Sequence, residues 1–276
     1  MKVVEAGDAS IPAPGLGTWQ ITGDRCRETV RTALDVGYRH VDTAQMYDNE
    51  AAVGAAIADA AVDRDDVFLT TKVWRDSLRA DPLKRSVRES LDRLSTDYLD
   101  LLLIHWPHPR VPFDESLTAM AELQDDGVVE HLGVSNFTVS QLREARDIAA
   151  DLVVDQVMYH PYKDQRDLLA YCRRHGLAVT AYSPLAHGAA VDDPVLARIG
   201  DRYGKSAAQV AIRWLLEQDA VIPIPKATSR THLEANLAVF DFSLTDEDVA
   251  EIESISPGLG RRVRNLMPTV MRHVPF

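Results

Sequence analysis

Two textures alternate along the chain. Short aliphatic or β-branched runs occupy residues 15–19, 39–44, 67–74, 98–106, 129–137, 153–160, 177–184 and 220–225. Between and after them lie longer stretches whose apolar residues recur at helical spacing, at 26–36, 50–60, 83–94, 116–125, 140–149, 168–175, 207–216 and 233–239. Near-continuous apolar runs of this length suit strands buried on both faces, the habit of a parallel sheet. Eight strand–helix units in succession predict an α/β fold, a closed (β/α)8 TIM barrel, rather than an open doubly wound sheet. Two helical pieces exceed that count. One is 194–203, between the seventh run and its helix; the other is 245–255, whose TDEDVAEI opening has an N-cap residue with acids in the first turn. No linker, low-complexity tract or shift of composition interrupts residues 1–276, which read as one domain.

In such a barrel the chemistry gathers where strands end, at the C-terminal face. The first run closes in Thr18 and Trp19, the second in Asp42 with Tyr47 in the loop beyond, the third in Lys72 and Trp74, and the fourth in His105 and Trp106. Ser135 and Asn136 close the fifth, Gln156 lies in the sixth, Tyr182 and Ser183 close the seventh, and Lys226 follows the eighth. Each has a structural reading when taken alone: Asp42 as a turn cap, Tyr47 as a loop aromatic, Lys72 as a snorkelling strand end, His105 as a satisfied histidine, Lys226 as a solvated lysine. Together, four ionisable groups of complementary type converge on one mouth that Trp19, Trp74 and Trp106 share. An aromatic wall with a few polar groups is what a small-molecule site needs. Trp214, in mid-helix, reads as packing.

A free phenol, with a pKa near 10, is a poor acid at neutral pH. An ammonium beside it favours the phenolate, so Lys72 is expected to lower the pKa of Tyr47. Asp42 can hold that ammonium by a charge-assisted hydrogen bond, and His105 can orient a substrate oxygen. This set makes a proton donor for a carbonyl becoming an alkoxide, but no side chain supplies a hydride. The amides and hydroxyl of Ser135, Asn136 and Gln156 suit the carboxamide of a nicotinamide, and Tyr182 suits its flat ring. Lys226, just before a helix starting near Ser229, suits a phosphate, with Arg230 and His232 nearby.

Composition narrows the partners. The net charge is −12 and the pI about 5.2, which does not suit nucleic acid. Acids are mostly Asp and bases mostly Arg, a balance that suits either a salt-loving host or a high-GC genome. Cys26 and Cys172 lie far apart with no CxxC, giving neither a disulfide framework nor a zinc pattern. The opening MKVVEAGDAS lacks an apolar core of signal-peptide length, and no run is long enough to span a membrane. A reduced, cytoplasmic setting is expected, with no metal; a His105–His108 site would have Pro107 between its ligands and no carboxylate close behind.

The stretches GYRHVDTAQMYDNE, LTTKVW, LLLIHWP, GVSNF, DQVMYHP, AYSPL and IPIPKA together resemble the aldo-keto reductases, from about Gly15 to Phe242. The resemblance implies a tetrad of Asp42, Tyr47, Lys72 and His105 with Tyr47 as general acid. It implies a cofactor lying extended across the barrel, with Ser135, Asn136 and Gln156 on the carboxamide, Tyr182 under the ring, and Ser183 and Leu185 along the pyrophosphate. Thr18 and Trp19 join the cofactor-facing set, with Lys226, Ser229, Arg230 and His232 at the adenine end. The family often has Ser after the strand-eight lysine and Arg six residues after it; here Ala227 and His232 stand there. NADPH is expected to be preferred, with NADH possible. Trp19, Met46, Trp74, Trp106 and Phe113 are expected to wall the substrate pocket, and the tail 261–276 to add apolar contacts or hang free. The loops 185–194 and 107–115 are short, as in microbial members that reduce diketo-gluconates, methylglyoxal or other small aldehydes. The reading is an NADPH-dependent carbonyl reductase, as a monomer or weak homodimer. Its rivals are a cofactor-sensing module with little turnover and a Schiff-base aldolase using Lys72 or Lys226.

Overall fold

A computed structural model of the protein describes residues 1–149 and 151–255. The chain opens with an antiparallel hairpin, β1 (Lys2–Ala6) and β2 (Ala9–Ala13), which the sequence reading did not include. Its signal was the alternation through residues 2–6 and the Gly7–Asp8 turn, where Gly7 takes a left-handed φ of 59°. Eight parallel strands follow: β3 (Leu16–Gly17), β4 (His40–Asp42), β5 (Phe68–Val73), β6 (Leu99–Ile104), β7 (Val129–Ser135), β8 (Leu152–Met158), β9 (Ala178–Tyr182) and β10 (Val221–Pro223). Each pairs with its neighbour in sequence. The ends of this ribbon also meet. The Gly15 N–H donates to Pro223 O at 3.0 Å and the Gly17 N–H to Pro225 O at 3.2 Å, so β3 closes against β10. The (β/α)8 expectation is borne out.

The outer layer comprises α1 (Gly23–Asp35), α2 (Glu50–Ala58), α3 (Ala80–Leu94), α4 (Phe113–Asp125), α5 (Val139–Ile148), α6 (Arg166–Arg174), α8 (Ala207–Glu217) and α9 (Arg230–Leu237). The two additional helices are α7 (Pro194–Tyr203) and α10 (Asp246–Glu253). Asp193 caps α7 by accepting from the N–H groups of Val195 and Leu196, and Thr245 caps α10 in a box with Asp248. The pair is tied together by Arg198–Glu251, Arg202–Asp248 and the Tyr203 hydroxyl on Asp248. The tail expected to approach the pocket lies outside the described residues.

Strand alternation sorts the core into two bodies. Leu102 and Ile104 of β6 face the helical layer, in the larger apolar cluster. Leu101 and Leu103 face the barrel interior, where Val154 and Ile222 meet Val4, Ile11 and Ala13 of the hairpin. The hairpin therefore plugs the N-terminal end of the barrel, and the polar strand ends are left to the other.

Closure depends on Gly17. A Cβ there would lie 2.7 Å from Ile224 O, a backbone atom that cannot swing aside. Gly17→Ala should destabilise the fold by about 2 kcal/mol, in the range of overpacked cores, and lower Tm by roughly 4–8 °C. Thermal melts followed by circular dichroism test this; an unchanged Tm would mean that the seam has slack.

Candidate active site at the C-terminal mouth

Asp42 ends β4, and Lys72 lies on the adjacent β5, two residues beyond Thr70, the partner of Asp42. Alternation along β5 sends Thr71 outward, where its hydroxyl donates to Glu50 of α2 at 2.6 Å, and Lys72 inward. Lys72 is fully buried. Its Nζ donates to Asp42 Oδ1 at 2.6 Å, Thr43 O at 2.7 Å and Tyr47 Oη at 3.4 Å. An ammonium has three donors, and here each has an acceptor. Burial pulls the Lys72 pKa below its usual value, and Asp42 pulls it back.

The sequence led us to expect that Lys72 would lower the Tyr47 pKa. The balance runs the other way: burial raises the phenol well above its usual value, and Asp42 and Tyr182 add to the rise. The ammonium's attraction is smaller than the cost of a buried phenolate next to a carboxylate. Tyr47 thus holds its proton through the neutral range. Its oxygen accepts from Lys72, so the hydroxyl hydrogen is left to face the cavity.

The tyrosine sits on a single 3₁₀ turn, Gln45–Tyr47, clamped from both sides. Asn49 donates to Thr18 O and Ile21 O at 3.0 and 2.8 Å and accepts from the Thr43 hydroxyl at 2.6 Å. Gln45 donates to Ser86 and Ser90 on α3, and its Oε1 accepts from the Trp74 N–H at 3.0 Å. Neither residue was selected from the sequence; both carry ordinary amides whose role appears only once three loops are brought together.

His105 closes the site from β6. Its ring lies edge-on to Tyr47 and to Trp74, with centroids 5.6 and 5.1 Å apart. Burial, and then Lys72, hold its pKa well below the usual histidine range, so the imidazole is neutral; its buried Nδ1 has no hydrogen-bond partner among the described residues.

A cavity of about 430 Å³ opens over these groups. Asp42, Tyr47, His105 and Trp106 line one part; Ser135, Asn136, Gln156 and Tyr182 line another; Trp19, Ser183, Leu185 and Lys226 continue the wall. The polar groups form one network. Gln156 Nε2 donates to Asp42 Oδ2 at 2.7 Å. The Asn136 N–H and the Ser135 hydroxyl both reach Gln156 O. Asn136 donates to His105 O at 3.1 Å and accepts from the Tyr182 hydroxyl at 2.9 Å. Asn136 has a left-handed φ of 64°, a conformation that Asn tolerates better than most residues. Gln156 keeps its Oε1 and one N–H uncommitted, enough to meet an amide that both donates and accepts. The donor set therefore fits a nicotinamide carboxamide, and the Tyr182 ring lies beside it.

Several expected residues stand elsewhere. Thr18 is buried, its hydroxyl on Asp42 O at 2.9 Å. Trp74 supports the back of His105 instead of lining the cavity, and Phe113 begins α4 and packs on Phe137 with centroids 4.9 Å apart. Met46 also lies off the cavity wall. Ser229 caps α9 by accepting from the His232 N–H, and neither residue lines the cavity. Arg230 is exposed beside Glu234 and Asp35. Arg25 of α1 was missed: it donates to Thr228 at 3.0 Å, and its charge acts on Lys226. His187 was missed too; its ring meets Trp19 edge-on across the cavity, at 5.9 Å.

The sequence profile of the Aldo/keto reductase family matches residues 14–257. Methylglyoxal reductase DkgB of Escherichia coli is 41% identical over 252 residues, covering 89% of this chain and 93% of that protein. A crystal structure of a candidate 2,5-diketo-D-gluconic acid reductase B is 45% identical, with a TM-score of 0.92 over 94% of this chain and 93% of that one. A Bombyx mori aldo-keto reductase in complex with NADP is 34% identical, with a TM-score of 0.85 over 91% of this chain and 92% of its own.

The Asp42–Lys72 pair makes a measurable demand on stability. Removing one partner of a buried ion pair leaves an uncompensated charge. Asp42→Asn should therefore cost about 3–5 kcal/mol. The double change Asp42→Asn with Lys72→Met should recover a large part of that loss, since no charge is then stranded. Urea melts of the four proteins close the cycle; additive losses would show that the two groups do not act as a pair.

Proposed function

The chain belongs to the aldo/keto reductase family and reduces carbonyl groups with a nicotinamide cofactor, and we propose that Tyr47 is its proton donor, Lys72 and Asp42 the pair that stabilises the phenolate left behind, and His105 the group that orients the carbonyl oxygen. One observation carries this reading: the Lys72 ammonium has its donors on Asp42, Thr43 and Tyr47, and so points at the atom that will become anionic.

Ser135, Asn136 and Gln156 would hold the carboxamide of a bound cofactor and the Tyr182 ring would support its nicotinamide face, where it would supply a hydride from C4 to the carbonyl carbon. As charge collects on the substrate oxygen, Tyr47 gives up its proton. The phenolate oxygen then lies 3.4 Å from the Lys72 Nζ, and Asp42 keeps that ammonium charged and fixed. Attraction between Lys72 and Tyr47 grows only as the phenolate forms, so it lowers the barrier rather than the ground state. His105 is neutral and orients by hydrogen bonding without adding a charge.

The cofactor preference we favour is NADPH over NADH. Lys226 on the cavity wall, with Arg25 beside it and the N-terminus of α9 just beyond, suits a phosphate. The substrates we favour are small oxoaldehydes and keto sugar acids, in keeping with two of the relatives and with the short loops around the mouth. We take the cytoplasm as the compartment, since Cys26 and Cys172 are buried and unbridged; the Asp- and Arg-rich composition suits a salt-loving host and a high-GC genome alike. A monomer or weak homodimer is our reading: among the described residues the large exposed apolar side chains are few, Met1 and Val3 at the chain start and Ile148, Val191 and Phe240 on separate segments. Among the described residues no helix is long and apolar enough to cross a membrane.

Tyr47→Phe should lower kcat by about 10²–10⁴-fold, the usual worth of a general acid, while the NADPH Kd measured by tryptophan quenching stays within about twofold. In the wild type a donor acts while protonated and is lost as pH rises through its pKa. With the Tyr47 pKa above its usual value of 10.0, kcat/KM for reduction should be flat from about pH 6 to pH 9. A fall across that range that vanishes with Tyr47→Phe would show that the ammonium outweighs burial after all.

Lys226→Met should lower kcat/KM for NADPH on the order of tenfold and leave that for NADH nearly unchanged, as loss of a charge-assisted contact requires. Equal losses with both cofactors would place the phosphate away from Lys226.

A further inference from the structure

The chain has six lysines. Five have a side-chain partner: Lys2 on Leu216 O, Lys72 on Asp42, Lys84 on Glu122, Lys205 on Asp241, and Lys226 on Gln20. Lys163 alone has none among the described residues. It stands in the loop after β8, where its N–H donates to His160 O at 3.0 Å and fixes the turn that presents it. Its side chain lines a second cavity, of about 890 Å³. Trp106, Asn136, Met158 and Tyr182 line both cavities, so the two meet along these four side chains.

We propose that this second cavity receives the carboxylate end of an oxo-acid substrate whose carbonyl lies at Tyr47, with Lys163 as the counter-ion. The inference rests on the assignment of the reacting carbonyl to the mouth beside Tyr47 and His105, and it adds what that assignment leaves open: where the acid group sits and which residue meets it.

Charge on the lining supports it. Arg166 donates to both carboxylate oxygens of Asp164, at 2.5–3.0 Å, so those two neutralise each other. Asp167, exposed on the first turn of α6, offsets the positive end of that helix. Thr138 and Val139, also on the lining, open α5, whose first turn carries no acid, so its positive end adds to Lys163. Lys163 is half-buried, and burial pulls its pKa down, so a carboxylate partner would regain for the ammonium what desolvation costs it. A net charge of −12 repels anionic substrates at long range. An acid that reaches this mouth therefore needs a local cation, and Lys163 supplies one on the substrate side while Lys226 serves the other end of the cleft.

The test uses the full-length enzyme with NADPH and two aldehydes alike in chain and reactivity: succinic semialdehyde, which carries a carboxylate, and butanal, which does not. Lys163→Met should raise KM for the semialdehyde on the order of fivefold, the worth of a half-exposed ion pair, with kcat little changed and butanal within about twofold. Lys163→Arg should keep most of the wild-type preference. Equal effects on both aldehydes, no effect on either, or a wild type that reduces butanal but not the semialdehyde would each overturn the proposal. Butanal reduction reports the catalytic centre independently: butanal turnover that survives Tyr47→Phe would sink the assignment of the donor, whatever Lys163 does.

Discussion

An ammonium buried at the head of a barrel is the constraint around which the rest of this structure is arranged. Taking a lysine out of water costs several kcal/mol unless its charge and its donors are met. Here they are met by three oxygens supplied from one short segment, residues 42–47, which runs from the end of β4 through the loop behind it. A parallel barrel is well suited to this. Neighbouring strands end at the same level, alternation decides which side chains point inward, and the loop after one strand can lie over the end of the next.

The charge also organises the amide side of the site. Asp42 has two carboxylate oxygens; Lys72 takes one and Gln156, from the far wall, takes the other. Gln156 O in turn receives Ser135 and Asn136, and Asn136 reaches Tyr182 and His105. The groups that handle a proton and those suited to a carboxamide are thus coupled through a single carboxylate. A small shift of Asp42 would be felt at both. The outer clamps serve the same end, since Asn49 and Gln45 fix the turn bearing Tyr47 to the ends of β3 and β5 and to α3.

Much of this was legible in the sequence because strand ends carry it. Asp42, Lys72, His105, Asn136 and Tyr182 lie at or near the ends of runs whose apolar pattern marks them as buried strands, and Gln156 lies within one, so their convergence followed from topology. Helix α10 was legible for a local reason, the cap residue ahead of it, and α7 as a further helical piece between the seventh run and its helix. What was not legible depends on packing across loops. The hairpin is too short and too mixed to stand out from a polar leader. Trp74 was assigned to the pocket because it closes the third run, and Phe113 because it lies in the short loop after the fourth, yet one backs His105 and the other packs from the start of α4 on Phe137. Arg25 sits in an ordinary amphipathic helix, and only the closure of β3 on β10 brings it near Lys226.

The titration behaviour of Tyr47 and Lys72 bears on how the pair would serve as the donor we propose. Burial drives both groups toward their neutral forms, raising the phenol and lowering the amine. Asp42 breaks that symmetry, since it stabilises the ammonium and disfavours a second anion nearby. The resting state is therefore phenol plus ammonium, with no phenolate to compete for the cation. In the proposed transfer, the negative charge left on Tyr47 would meet a cation that is already oriented and already desolvated. No solvent need reorganise at that moment, so the interaction is strongest where the barrier is highest. A tyrosine made acidic in advance would have spent that attraction before the substrate arrived.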